Sequence, residues 1–447
     1  MTDKKRTLIF INLLITCIAT SFLSTALSTA LPPIIKEFGI SAAKGQWLTS
    51  AYSLAMAIMM PLTAYLITRY KTKNLYLTAI GILVAGLLIC IFAPNFEIMM
   101  AGRILQAMSN GITTSMAQVV LLTIYPPEKK GTIMGWYGLS VGAAPVIAPT
   151  IAGIFVDTIG WRMIFVVTFV ILVISLVYAL IIFDNVLDTR MQKFDIMSFI
   201  LSAFSFGGIT LGIGNLSGGI TRTLTWLPLV IGIIASIGFV KRQLGMQDPF
   251  LDLKVFQSRT FTVSVISSMC LYLIMMGSSI MMPLYVQSIM GRTATISGLV
   301  TLPGSLAMAL VSPYAGRLYD RLGMRKLAIG GAIGLFVAAL GMTLLTMESP
   351  LWIAAILQVI RCVAIGCMMM PFVTWGVTSL DPSQTAHGNA LITALRTIAG
   401  AIGTASFVGI MTAVSAGTTA IHGMNVAYLV MTVLSLVMIL IEIRMVK

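Results

Sequence analysis

Arg103, Arg361 and Arg396 each stand inside a long apolar run, in "AGRILQAMSNG", "LQVIRCVAIG" and "ALRTIAGAIGTA". A guanidinium held away from water attracts carboxylates, phosphates and electron-rich rings, because its charge is weakly screened and its planar fork carries several N–H donors. Cations at such depth are expensive and mark binding or ion pathways by default. Amides stand at three or seven positions from each: Gln106 and Asn110 for Arg103, Gln358 for Arg361, Asn389 for Arg396. The plainer alternative is that the arginines only tie helices together through amides and carbonyls. Trp47 and Tyr52, with Tyr285 and Gln287 in "MPLYVQ", add aromatic and polar groups. The expected binding set is therefore Arg103, Gln106, Arg361, Arg396, Gln287, Tyr285, Tyr52 and Trp47, taking a small molecule of anionic or aromatic character.

The acids distribute differently. All fourteen fall at loops or at the ends of predicted helices, so no carboxylate is expected at mid-membrane. Proton coupling ordinarily uses a desolvated carboxylate whose proton affinity changes between states. Protons are a candidate coupling partner only through Asp157, Asp195 or the histidines His387 and His422. The cysteines sit in apolar runs at spacings unlike metal ligands and read as small fillers. With no nucleotide-binding loop and no set of nucleophile and base, the sequence reads as neither an enzyme nor a primary pump, and calls for no cofactor.

What positions these groups is a membrane. The chain has 447 residues, 58% hydrophobic and 9% charged, too apolar for a soluble domain. A crossing helix needs about 20 apolar residues, and fourteen such runs can be placed from about 9–31 to 424–444. A cleaved leader is disfavoured, because the same architecture would continue downstream. The net charge of +14 is no signature of nucleic acid: the clusters at 4–6, 69–73, 241–259 and 317–326 fall on one side under a single orientation. That is the positive-inside pattern, and it puts both termini in the cytoplasm of a multi-pass cell-membrane protein.

Duplication is visible too. "TAYLITRYKTKNL" recurs as "AGRLYDRLGMRKL", placing Thr68 opposite Asp320, 252 positions apart, while Arg103 recurs as Arg361, 258 apart. Two nearly equal offsets imply two six-helix halves, 1–190 and 259–447, with two inserted helices in 191–258. The expected fold is all-α and polytopic, with fourteen transmembrane helices. Parallel repeats place a substrate cavity between the halves near the midplane. In "YGLSVGAAPVIAPTIAG", Gly138, Gly142, Pro145, Pro149 and Gly153 recur at three or four positions, which gives one smooth, bent helix face for close packing or for flexing between halves.

"ALPPI", "WLTSAYSLAMAIMMPLTAYL", "AGRILQAMSNG", "APVIAPTIAGIFVDTIGWRMIF" and "MPLYVQSIMGRTATISGLVTLPGSLAMALVSPYAGRLYDRLG", in this order, resemble the fourteen-span drug:proton antiporter-2 branch of the major facilitator superfamily. The resemblance covers nearly the whole chain and implies alternating access by rocking of the halves. It also implies a loop reading Gly-x-x-x-Asp-Arg-x-Gly-Arg after the second span, whose acid helps latch the halves. Here Ala64, Thr68, Lys71 and Thr72 replace four of those positions and only Arg69 remains, whereas the second copy keeps Gly316, Asp320, Arg321 and Gly323, with Arg325 one place late. The better latch is expected in the second copy. The branch commonly carries an Asp nine positions before the Pro of its "ALP"; that position is Leu23, and Ser28 stands where an Asn is expected.

The sequence is best read as a secondary transporter exporting small amphipathic compounds, sitting in the lipid bilayer and functional as a monomer. Two other readings remain open at this point: an uptake carrier or facilitator for an organic anion or vitamin-like aromatic compound without proton antiport, and a non-transporting receptor or scaffold.

Overall fold

The computed structural model describes residues 2–190, 193–214 and 223–446; the side chains at 28, 42, 43, 143, 145–147, 149, 150, 223, 224, 294 and 295 are outside the description. Helices account for almost all of it. The first six are α1 (Asp3–Phe38), α2 (Ala42–Arg69), α3 (Thr72–Ile91), α4 (Phe96–Ile124), α5 (Lys130–Thr158) and α6 (Arg162–Ile182). Next come α7 (Ile196–Gly214) and α8 (Thr223–Gly245). The last six are α9 (Arg259–Leu284), α10 (Ala294–Leu322), α11 (Met324–Thr343), α12 (Leu351–Thr378), α13 (Thr385–Ser415) and α14 (Ala420–Met445).

Boundaries follow from local chemistry. Ser41, Asn95, Ser258, Thr293 and Thr419 accept a backbone N–H of the first turn of α2, α4, α9, α10 and α14, satisfying donors that a helix start leaves open. Gly39 ends α1 at φ 62°, a conformation that a Cβ disfavours.

Among the described residues, twelve helices are long and apolar enough to cross a membrane, and α4 and α5 are not among them. Fourteen spans were expected. For α4 the reason is physical: Arg103, Gln106, Ser109, Asn110, Thr113, Ser115 and Gln118 lower its hydropathy, yet all seven are buried. Their polarity faces protein rather than lipid, as packing inside a bundle permits.

Helix contacts repeat with an offset of eight. α1 packs on α5 as α9 does on α13; α2 on α4 as α10 on α12; α3 on α4 and α6 as α11 on α12 and α14. Between the two groups of six runs a seam formed chiefly by α5 against α10 and α2 against α13. α7 and α8 pair with each other, and α7 leans on α2 and α13. Glycines bring this pair together: a Cβ at Gly208 would lie 2.7 Å from the Pro228 carbonyl and 2.9 Å from Gly232 Cα. The glycines of α7 and α8, in the run 204–219 "FSFGGITLGIGNLSGG" and its partner helix, thus form a packing surface where they are described; Gly218 and Gly219 lie outside the described residues.

Lys5 pairs with Asp184, Phe10 packs on Tyr125 just before α5, Asp320 at the end of α10 binds the start of α5, and Arg325 reaches the Ile443 carbonyl, so the start of α1, the end of α6, the α10–α11 turn and the end of α14 share one face, here the terminal face. On the same face Asp195 receives two N–H bonds from Arg242 at 2.9 and 3.0 Å. Those bonds, with one from Ser198, hold the carboxyl near 2, below its ordinary 3.8. Because the folded value is depressed, the pair stabilises above about pH 4 and that contribution fades as pH falls toward about 2. Asp195→Asn should lower stability only slightly, since Arg242 is exposed and solvent screens the pair. Melting in detergent should show a small wild-type advantage at neutral pH that shrinks through acid; an undiminished gap would disprove the ionic origin.

Candidate functional site

The two repeat-related arginines are each enclosed in their own group. Arg103 is fully buried; it donates to Gln106 Oε1 at 2.8 Å and to the Leu48 carbonyl at 3.4 Å, and lies 4.2 Å from the Tyr52 ring centroid. Asn110 donates to the Tyr52 hydroxyl at 2.8 Å. The structure therefore gathers Arg103, Gln106 and Tyr52 at the contact of α2 and α4. Arg361 donates to Gln358 Oε1 at 3.2 Å and to Ser278 Oγ, within α9 and α12. Each donates to an amide three residues away, although Arg103 Nη2 is left buried without a partner, and the seam separates them.

Arg396 is placed differently. Its guanidinium lies 4.8 Å from the Tyr272 ring centroid, and Nη1 is buried without a hydrogen-bond partner. Asn389 turns away from it and donates to the Ser115 carbonyl at 3.2 Å, joining α13 to α4 across the seam. Around that crossing, Ser115 Oγ, both amide atoms of Gln118, Asn389 Oδ1 and Thr393 Oγ1 are also buried and without a well-formed hydrogen bond, Gln118 having only a loose approach from the Tyr137 hydroxyl. Tyr137 on α5 stands beside Gln118 and within electrostatic range of Arg396 and Tyr272. Buried donors and acceptors left open cost free energy unless something pairs with them. Donors and acceptors from both groups thus converge on one spot between the groups. Ser115, Gln118, Tyr137, Tyr272 and Thr393 were not singled out from the sequence. The available signal was an amide inside "SMAQVVLL".

The remaining expected binding residues lie elsewhere. Trp47 is 44% exposed and Gln287 is exposed. Tyr285 is buried with its hydroxyl donating to the Thr346 carbonyl at 2.7 Å, at the face opposite the terminal one. Leu23 is fully buried in an apolar cluster, and the Ser28 side chain lies outside the described residues.

The seam closes toward the terminal face. Asp320, at the end of α10, accepts from the backbone N–H groups of Gly131 and Thr132 at 2.8 and 2.7 Å and from Thr132 Oγ1 at 2.7 Å. A carboxylate at the first turn of α5 satisfies open donors and meets the positive end of that helix. Gly316 makes the approach feasible, since a Cβ there would overlap the Gly131 backbone. Farther along, a Cβ on Gly142 would meet Met308 at 3.7 Å, whereas one on Gly153 would meet Thr29 of its own group at 3.9 Å. The side chains of Pro145 and Pro149 lie outside the described residues. Arg69 is half-buried, Arg321 is exposed, and Arg325 binds the Ile443 carbonyl at 3.5 Å. A cavity of about 560 Å³ opens nearby, lined by Thr68, Asp188, Arg190, Gln384 and His387 among others. It holds none of the expected binding residues.

Two helix groups repeating one packing scheme, with open polar groups trapped between them inside an apolar bundle, define a membrane transporter. The chain belongs to the Major Facilitator Superfamily, whose model matches residues 13–404. It is 37% identical over 421 residues to the uncharacterized MFS-type transporter YcnB of Bacillus subtilis, covering 92% of this chain and 89% of that one. It is 35% identical over 408 residues to the lincomycin resistance protein LmrB of the same organism, covering 91% and 85%. A crystal structure of the human organic anion transporter MFSD10 superposes with a TM-score of 0.70 at 12% identity, over 99% of this chain and 100% of that one; this likeness concerns the fold.

Proposed function

We propose that this protein exports small amphipathic compounds, drugs among them, across the cell membrane by alternating access. The reading takes it as a monomer with fourteen spans, both termini cytoplasmic, halves at 1–190 and 259–447, and inserted helices at 191–258. The observation that carries it is the set of polar atoms of Gln118, Asn389, Thr393 and Arg396 left without a well-formed hydrogen bond at the seam. A site that leaves donors and acceptors open in a low-dielectric seam gains most from a ligand supplying the missing partners. Arg396 with Tyr272 favours an anionic or aromatic portion of that ligand. The resistance named for LmrB supports export of a drug.

In this scheme the Asp320 contact is the latch of the state closed to the cytoplasm, and Gly316, Gly142 and Gly153 give α5 and α10 smooth contact surfaces. The test is transport in proteoliposomes of lincomycin, a lipophilic cation and an aromatic anion, with pH gradient and membrane potential imposed separately. Saturable, counterflow-capable movement of at least one probe is expected. Specific binding with no movement under any gradient would refute transport.

A further inference from the structure

Glu442 stands three residues before the end of α14, where a sequence position suggests contact with water. The structure buries it completely; both carboxyl oxygens are inaccessible and make no well-formed hydrogen bond, with only a loose approach from the Ser267 hydroxyl. Helix geometry explains this: side chains lean toward the helix N-terminus, so the carboxyl lies about a turn deeper than its Cα. α9 supplies the surroundings. Ser267 and Cys270 face the carboxyl, and the hydroxyls of Ser267 and Ser268 are themselves buried without a well-formed hydrogen bond.

Among the described residues no neighbouring cation pairs with it: on α9, Arg259 is exposed and shares a recess with Met445 at the end of α14. On α11, Arg325 is exposed and binds the Ile443 carbonyl, and Lys326 is exposed. On α13, His387 accepts from the Asp252 N–H at 3.3 Å and Arg396 lies against Tyr272. Tyr285, on the turn beside α14, bonds Thr346 at the opposite face, and Arg444 on the same helix is exposed. Among the described residues Glu442 forms no ion pair. Two serine hydroxyls are too few oxygens for a dehydrated metal cation. The ligand that fits an enclosed carboxyl beside acceptor hydroxyls is a proton, which converts the carboxylate into a donor.

We propose that Glu442 is the proton-binding carboxyl of this transporter, protonated in the state seen here and losing its proton to water at the terminal face when α14 separates from α9. α9 is common to both places: Cys270 faces the carboxyl, and Tyr272, on another face of the same helix, holds Arg396, so movement of α9 reaches both. Coupling to transport rests on the proposed function above, whereas proton binding itself does not.

Two measurements separate these. Infrared difference spectra of the full chain between acid and alkaline pH should show a protonated carboxylic-acid carbonyl band that Glu442→Gln removes and Ser267→Ala shifts in midpoint. Identical spectra for wild type and Glu442→Gln would overturn the proposal. In proteoliposomes, Glu442→Gln should retain lincomycin counterflow and lose at least tenfold of the pH-gradient-driven rate. Preserved gradient-driven uptake in the variant would overturn the coupling. Absent counterflow in wild type would count against the transport reading alone, and the infrared band would still decide the carboxyl.

Discussion

Asp320→Ala should lower transport more than tenfold while leaving the protein folded and membrane-inserted. The carboxylate accepts three hydrogen bonds from one turn of α5, and its negative charge lies at the positive end of that helix. Such a placement contributes up to about 2 kcal/mol in partly buried sites, and removing the acceptor also leaves three donors open. A loss of about 2 kcal/mol changes the ratio of closed to open states by a factor of about 30. Because the bonds join α10 to α5, the loss falls on the closed terminal face and spares the packing within each group. Spin labels at Glu128 and Leu322, on either side of the contact, should report a longer and broader distance in Asp320→Ala. Asp320→Asn, which keeps one acceptor oxygen without the charge, should be intermediate. An unchanged distance together with unchanged transport would rule out the latch.

The Asp320 contact was legible in the sequence. The repeat offsets located Asp320 and the loss of its counterpart at Thr68, since loops keep register with the helices they join. Pairing of Arg103 with Gln106 and of Arg361 with Gln358 was legible because residues three apart share a helix face. The partner of Asn389 was not, because Ser115 lies 274 positions away and only packing across the seam brings them together. Tyr137, Tyr272 and Gln118 read as ordinary fillers of apolar helices, since sequence does not tell which face meets the seam. Glu442 was set aside as a helix-end acid, because distance along the chain says nothing of the lean of a side chain into the bundle. α4 shows the reverse case: its polar residues lower its hydropathy, yet each is buried.

Arg396→Ala should weaken binding of an anionic aromatic probe by about 10- to 100-fold, the range that follows from losing a hydrogen-bonded charge of about 1.5–3 kcal/mol. Arg396 has an open Nη1 and no acidic partner among the described contacts, so its charge is available to a ligand. Arg396→Lys should recover little: an ammonium is a hydrated point charge that lacks the flat face lying against Tyr272. A cationic probe should bind Arg396→Ala at least as well as wild type, because the local repulsion is gone. Arg103→Ala and Arg361→Ala should behave otherwise. Arg103 keeps one open nitrogen, Nη2, but both guanidiniums bond within their own helix group, to Gln106 and Leu48 or to Gln358 and Ser278, so removal should lower melting temperature and yield without reversing charge preference. Equilibrium binding of the two probes to the four purified variants separates the cases. If Arg396→Ala loses the cation and the anion equally, Arg396 is a packing residue and the seam site takes its selectivity from other side chains.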